Sequence, residues 1–168
     1  LLDAFSVHRV VCRNDSLCEV YVDVDDGMLV EREGPPSTEE LASYIAANEI
    51  KLVEGQTAEI CLEVATWVDM VSRVLLEGFV LTVDYGAETS ALYDPERVRE
   101  SLVCQHRYQL NSDPLTRVGG QDITAHVDFG NLRRCGKLAN FGVIGDVSLA
   151  VFLVGFGAVE DLSRDPLG

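Results

Sequence analysis

The densest cluster of reactive side chains lies between Gly119 and Phe129, where the chain reads Gly-Gly-Gln-Asp-Ile-Thr-Ala-His-Val-Asp-Phe. In an extended segment side chains alternate between two faces, so Thr124, His126 and Asp128 share one face and the apolar residues the other. A hydroxyl, an imidazole and a carboxylate on one face are suited to binding a polar substrate and moving its proton. The open alternative is a half-buried strand whose polar face meets water, with Asp128 capping the next helix.

A second set of polar side chains is predicted at strand ends. Asp84 and Tyr85 follow the apolar run Phe79–Val83, which is typical of a strand buried on both faces of a parallel sheet. Ligands of such sheets bind at the carboxyl ends of the strands, so Asp84 is predicted to grip a cationic or polar substrate. Asp3 lies at another such end if Leu1-Leu2 finishes a strand. The open alternative is a solvated strand end in which Asp84 bonds to nearby backbone amides.

The elements that must position these residues follow an α/β pattern. Apolar residues at helical spacing predict helices around residues 41–45, 64–75, 132–138 and 149–156. The Asp25-Asp26-Gly27 turn between alternating runs predicts a β-hairpin, and Val143-Ile144 a brief strand. We expect residues 1–168 to form a single domain, with 8–57 as an insertion carrying the hairpin and 86–120 as a long loop or lid.

The composition limits the partners. With 13 basic and 28 acidic residues, the chain carries a formal net charge of −15 at pH 7. Such a surface repels phosphate backbones and anionic lipid, so we expect no nucleic-acid or membrane partner, whereas a basic protein segment would be attracted. The five cysteines lack metal-knuckle spacing and the three histidines are far apart in sequence, so no metal site is expected. Unpaired cysteines indicate a reducing compartment.

Four segments of the sequence resemble the MidA-type S-adenosylmethionine-dependent methyltransferases. They are Leu1–Phe5 with Val7–Arg9, Glu54–Gln56 leading to Glu59–Cys61, Val83–Gly86 followed by Leu92-Tyr93, and Gly120–Phe129. The last segment is the most specific. The family includes a mitochondrial complex I assembly factor thought to methylate arginine in a protein subunit. The likeness covers the middle and later part of such an enzyme, without the family's glycine-rich cofactor loop.

The resemblance implies a fold, a reaction and a set of roles. The fold would be part of a Rossmann-like methyltransferase sheet with an inserted β-hairpin and helical region, here its C-terminal portion. The reaction would be methyl transfer from S-adenosylmethionine, which needs the missing half for binding, to a protein side chain such as arginine. Asp3 and Asp122 would orient the substrate, and His126 would accept a proton or position an acid. The implied substrate-binding residues are Asp84, Tyr85, Gln121, Thr124 and Asp128; no cofactor-binding residue is assigned.

The resemblance also implies a location, and it leaves two other classes of function open. The bacterial cytoplasm is the expected location, with the mitochondrial matrix as the alternative. The first rival function is a non-catalytic acidic module, or pseudo-methyltransferase, that docks a basic partner. The second is a metal hydrolase that uses His126 with Asp84, Asp122 or Asp128.

Overall fold

The computed structural model describes residues 1–97 and 101–157 and has a mixed α/β architecture. From the amino end, the elements are a 3₁₀ turn (Leu2–Ala4), β1 (His8–Arg13), β2 (Ser16–Asp25), β3 (Met28–Gly34), α1 (Glu40–Ala47), β4 (Thr57–Ile60), α2 (Glu63–Val74), β5 (Gly86–Ala87), α3 (Thr89–Leu92), β6 (Leu102–His106), β7 (Gln109–Asn111), β8 (Asp122–Ala125), β9 (Val127–Asp128), α4 (Phe129–Leu138) and α5 (Leu149–Gly155). None of the helices in these two ranges is long and apolar enough to cross a membrane.

The first four strands form an antiparallel sheet in the order β3-β2-β1-β4. The predicted hairpin is confirmed, since Asp25 pairs with Met28 across the turn. Its two central residues, Asp26 and Gly27, have φ values of 48° and 76°. Both lie in the left-handed region that this tight turn requires, and aspartate and glycine adopt it more readily than most residues.

Helix α1 covers the antiparallel sheet and closes its core. Leu41 on the helix packs with Val10 on β1 and Ile60 on β4, and each of these side chains is 0% exposed. Tyr44, one turn further along α1, is 6% exposed in the same cluster. Leu92 and Tyr93, at the end of α3, complete the same core, so this sheet buries its apolar face partly against a later segment of the chain.

Helices α2 and α4 form the second core. Val64 and Val68 on α2 pack against Cys135 on α4, and Trp67 lies partly buried against this cluster. The predicted helices are confirmed here, as is the assignment of Trp67 to the core. The burial of Cys135 raises the pKa of its thiol, as expected for a cysteine that acts as a small apolar side chain.

The segment predicted as a long loop contains regular structure. Strand β6 pairs antiparallel with β7 on one side and with β8 on the other. Strand β5 pairs parallel with β9. Leu102 and Cys104 alternate inward on β6, which is why this stretch forms a strand in spite of its polar neighbours. Whether any of residues 86–120 moves as a lid stays a prediction.

The predicted buried strand at Phe79–Val83 is wrong for the chain as described. The segment forms neither helix nor strand, and Phe79, Leu81 and Val83 are 82%, 70% and 60% exposed. The brief strand at Val143-Ile144 is likewise not formed. A strand needs a neighbour for its backbone groups, and no described strand pairs with either segment. Helix α5 is confirmed, but none of its residues is buried.

Candidate functional site

Three segments that carry predicted site residues are in contact with one another. The carboxylate of Asp84 accepts hydrogen bonds from the backbone N of Leu2 at 2.9 Å and of Asp3 at 3.4 Å. The backbone N of Val127 donates to the carbonyl of Tyr85 at 2.8 Å, and strand β8 lies against the first turn. The 3₁₀ turn, the β5 region and the β8–β9 segment therefore lie side by side.

The carboxylate of Asp84 is buried and bonds to groups of the chain itself. Its side chain is 4% exposed, and the backbone N of Tyr85 adds a further hydrogen bond at 2.9 Å. Burial raises the pKa of this carboxyl, but the hydrogen bonds that it accepts outweigh burial and hold the pKa below the usual value. Asp84 thus bonds to nearby amides, as the alternative predicted, but its side chain is buried instead of solvated and it does not follow a strand. A direct contact of Asp84 or of the exposed Tyr85 with substrate stays a prediction.

Gly86 allows the close approach of the two segments. A Cβ at this position would collide with the carbonyl oxygen of Val127 and with the ring of Phe129. Only glycine lets β5 pair with β9 at this distance, so the residue after Asp84 and Tyr85 is part of the construction of the site. In the sequence, this close approach was indicated only by a glycine that directly follows two polar residues at a predicted strand end.

Asp128 is buried at the start of α4. Its carboxylate accepts hydrogen bonds from the backbone N of Asn131 at 2.9 Å, from the Tyr44 hydroxyl at 2.8 Å and from the Thr89 hydroxyl. The predicted cap on the helix is confirmed. Burial raises the pKa of Tyr44 and of the neighbouring Tyr93, so both phenols stay protonated and available as donors. Contact of Asp128 with substrate stays a prediction.

His126 lies beside the guanidinium of Arg97. The Nη2 of Arg97 is 2.9 Å from Nδ1 of His126, and a guanidinium can only donate, so Nδ1 is the acceptor and the ring proton sits on Nε2. Burial first, and then the charge of Arg97, lower the pKa of His126, while Glu59 raises it. The ring is therefore neutral and presents an N–H. Acceptance of a proton at Nδ1 would require Arg97 to move away.

The remaining predicted residues lie on or just before β8. Asp122 is exposed at its first position. The side-chain amide of Gln121 donates to the carbonyl of Asp113 at 2.9 Å, and the hydroxyl of Thr124 to the carbonyl of Val103 at 3.4 Å. Gln121 and Thr124 thus bind neighbouring backbone, which leaves Asp122 as the carboxylate of this group that faces solvent.

Glu59 is a buried carboxylate that the sequence reasoning did not single out. It is 6% exposed on β4, and one carboxylate oxygen accepts from the backbone N of Ser101 at 3.0 Å. The other oxygen lies 3.8 Å from Nε of Arg9. Glu59 also lines both of the best-formed cavities of the described chain, one of which it shares with His126. The sequence feature that could have indicated this buried carboxylate is a charged residue between Ala58 and Ile60 in a short apolar strand.

The fold is that of a methyltransferase-like α/β protein, and residues 1–146 match the family of putative S-adenosyl-L-methionine-dependent methyltransferases. The chain belongs to this family. The resemblance seen in the sequence is confirmed at this level. Among curated proteins, none matches the chain.

Two solved structures from Burkholderia thailandensis are similar to the chain. One is the native structure of an uncharacterized COG1565 superfamily protein, 31% identical, which aligns with 99% of this chain and 44% of its own length at a TM-score of 0.90. The other, a COG1565 superfamily member with S-adenosyl-homocysteine bound, is also 31% identical and aligns over 99% and 43% at a TM-score of 0.89. The chain thus spans less than half the length of these solved relatives.

The two cavities that Glu59 lines are too small for the cofactor of the family. The two best-formed cavities each have a volume of about 10 Å³, room for roughly one water molecule. Pockets for ligands of this kind are typically about 300 Å³ or more. Within the described ranges no group of three or more His, Cys, Asp and Glu side chains is placed to hold a metal ion either. These two cavities therefore offer positioned polar groups but no room for the cofactor.

Proposed function

We propose that this chain forms the methyl-acceptor side of an S-adenosylmethionine-dependent methyltransferase that acts on a protein side chain such as arginine. The observation that supports the proposal is the meeting of the 3₁₀ turn, Asp84–Gly86 and the β8–β9 segment in a chain of this family. The bound S-adenosyl-homocysteine of the solved relative is the demethylated form of the cofactor, which supports S-adenosylmethionine as the methyl donor. The finer likeness to MidA-type enzymes is part of the same proposal.

The acidic side chains favour a cationic acceptor. A guanidinium binds carboxylates through paired hydrogen bonds, which orient one nitrogen and localise charge on the others. Asp122 is exposed, and the side chain of Asp3 is 17% exposed, so these two carboxylates are the ones we assign to the substrate. Asp84 acts as a positioning residue because it binds the backbone amide of Asp3. The net charge of −15 would attract a basic protein segment.

His126 is assigned a positioning role. A protonated guanidinium is a poor nucleophile, so a proton must leave the attacking nitrogen. Nδ1 of His126 already accepts from Arg97, and its Nε2–H is a donor. Of the two roles implied by the resemblance, this geometry favours the one in which the imidazole orients an acid. The proton acceptor is then the carboxylate of Asp122 or Asp3.

Reconstitution tests the proposal. The chain is combined with the portion of the Burkholderia thailandensis relative that it does not match, here called the complementing portion. Calorimetry should detect S-adenosyl-homocysteine binding to the combination and none to the chain alone. The combination should also transfer labelled methyl groups to a basic peptide with a single arginine, and not to the same peptide with lysine in its place.

Substitutions assign the roles. Asp122→Ala should lower turnover on the arginine peptide by about 100-fold or more if it orients the acceptor, with cofactor binding unchanged. The matched control is Asp25→Ala, which removes another exposed carboxylate, on the hairpin and outside the segments assigned to the site. Equal activity of the Asp122→Ala and unmodified proteins would remove that residue from the mechanism.

A non-catalytic acidic module is the second candidate. The observation in its favour is that Asp84 and Asp128 are both occupied by internal hydrogen bonds while the cavities admit about one water. Under this alternative, neither the chain nor the combination binds S-adenosyl-homocysteine. Both still bind the basic peptide at low salt, and they lose it as the ionic strength rises.

A further inference from the structure

Ser101, the residue before β6, connects Glu59 to His126. Its backbone N donates to one carboxylate oxygen of Glu59 at 3.0 Å, and its hydroxyl donates to the same oxygen. Its carbonyl accepts from the backbone N of His126 at 3.3 Å. Arg97, which contacts the imidazole of His126, lines a cavity together with Glu59 and Ser101. We call these four residues the Glu59 cluster.

The carboxylate of Glu59 lies in an environment that is costly for a charge. Its side chain is 3% exposed, and its second oxygen, Oε1, has no hydrogen-bond partner among the described residues. Nε of Arg9 lies 3.8 Å from this oxygen, which is within the range of an ion pair but too far for a hydrogen bond. An uncharged amide of the same shape could bind Ser101 with a smaller desolvation penalty. The contact with Ser101 alone therefore does not explain a charge at this position.

The charge of Glu59 also affects the protonation of His126. Burial and then the charge of Arg97 lower the pKa of the imidazole, whereas Glu59 raises it. Three further titratable side chains line the cavity that Glu59 shares with His126, and burial raises the pKa of each, so they are uncharged near neutral pH: Tyr44, Cys61 and Tyr93.

Two other carboxylates lie near the segment of His126, and both bind groups elsewhere. Asp128 accepts hydrogen bonds from three donors at the start of α4. Asp3, on the first turn beside β8, binds the N-terminal amine of Leu1. Glu59 is therefore the carboxylate that a single residue, Ser101, connects to the backbone of His126.

We propose that Glu59 is a positioning residue for the transfer step, and that it acts on His126 through Ser101 and through its buried negative charge. Ser101 fixes the backbone of His126, while the charge of Glu59 offsets that of Arg97 beside the imidazole. This part of the site then does not repel a cationic acceptor. The inference rests on the proposed function, in which a guanidinium is the methyl acceptor and His126 orients an acid.

Two substitutions separate the charge of Glu59 from its shape. Glu59→Gln removes the charge, and its amide oxygen can still accept from Ser101. Glu59→Asp keeps the charge on a side chain that is shorter by one methylene. The matched control is Glu19→Gln, because Glu19 is also 6% exposed in the same sheet but binds the ring of His8, at 2.7 Å. Circular dichroism checks that each variant is folded.

Nitrogen NMR reads the pKa of His126 in the chain combined with the complementing portion, with the histidines of the chain labelled. Glu59→Gln should lower this pKa, because it removes the group that raises it. Glu59→Asp should move it less than Glu59→Gln does. Glu19→Gln should leave it unchanged and should alter the ring signals of His8 instead.

Turnover on the arginine peptide tests the role in the reaction. At neutral pH, Glu59→Gln should lower turnover by about tenfold or more, because Arg97 then repels the acceptor, while S-adenosyl-homocysteine binding stays unchanged. The acidic limb of the pH profile should move to lower pH together with the pKa of His126. Glu19→Gln should leave turnover and the pH profile unchanged. A purely structural role predicts the larger loss for Glu59→Asp and no movement of the pH profile in Glu59→Gln.

The outcomes separate this inference from the proposed function. Methyl transfer by Glu59→Gln with an unmoved pKa of His126 and an unmoved pH profile would overturn the role of Glu59 and leave the proposed function intact. A moved pKa in a combination that transfers no methyl group even with the unmodified chain would reject the proposed function and the positioning role with it. A moved pKa, a moved acidic limb and a loss of turnover together would support the inference.

Discussion

The antiparallel sheet with α1 and the two exposed segments, residues 74–83 and 143–156, are both rich in apolar residues, yet they are packed in opposite ways. In the first region Val10, Leu41 and Ile60 are 0% exposed. In the second, Phe79 is 82% exposed and Phe156 is 78% exposed. The first region closes its core with its own residues and with Leu92 and Tyr93 at the end of α3. The second region has apolar residues at strand and helix spacing that are as regular as those of the first, but no described neighbour covers them.

The difference shows which apolar faces the described residues cover. The hairpin, β4 and α1 pair through their own backbone groups, but their shared core also needs Leu92 and Tyr93 at the end of α3. The segments 79–83 and 143–144 pair with no described strand. The candidate site lies between the two regions, since the 3₁₀ turn precedes β1 while Asp84 follows the exposed run.

The largest expected change in the free energy of unfolding comes from comparing one leucine of each region. Leu41→Ala should lower the free energy of unfolding by about 2–5 kcal/mol, because it leaves a cavity in a closed core. Leu81→Ala in the isolated chain should change it by less than about 0.5 kcal/mol. Urea unfolding followed by circular dichroism measures both. Comparable losses for the two variants would mean that the regions are equally packed.

Two aspartates of one segment, Asp122 and Asp128, give the next largest expected difference in the free energy of unfolding. Asp128→Ala removes the cap of α4 and the acceptor of the Tyr44 hydroxyl, and should cost about 2–3 kcal/mol of unfolding free energy. Asp122→Ala, six residues earlier and exposed, should cost less than about 0.5 kcal/mol. Thermal unfolding of the two variants checks the ranking. A larger loss at Asp122 would contradict the assignment of Asp128 as the structural carboxylate.

The smallest effect concerns the protonation of His126. Its pKa is lowered in the fold by burial and by Arg97, so on acidification the unfolded chain takes up this proton before the folded one does. The contribution of His126 to stability is therefore lost as the pH falls through the ordinary histidine range. Arg97→Ala should raise the pKa of His126, whereas Arg97→Lys keeps the positive charge. Nitrogen NMR measures the pKa and the tautomer, and a proton found on Nδ1 at neutral pH would contradict the hydrogen bond from Arg97.

The local elements were predictable because their signals lie within a few residues. The spacing of Val64, Trp67 and Val68 predicted α2, and the Asp-Gly turn predicted the hairpin. The cap at Asp128 and the gathering of Asp84 near the first turn could also be predicted. The exposure of Phe79–Val83 could not be predicted. The apolar pattern indicates that a segment is suited to burial, but it does not indicate whether a neighbouring element is present to bury it.

By itself the sequence determined the α/β class, the acidic charge, the hairpin and the helices, since each depends on neighbouring residues and on composition. Only the tertiary structure decided that Asp84 accepts a hydrogen bond from the first turn and that Arg97 donates one to Nδ1 of His126. It also decided that Glu59 and His126 line one cavity. These contacts join residues that are far apart along the chain. Their partners are selected by three-dimensional packing, which no local pattern of residue types contains.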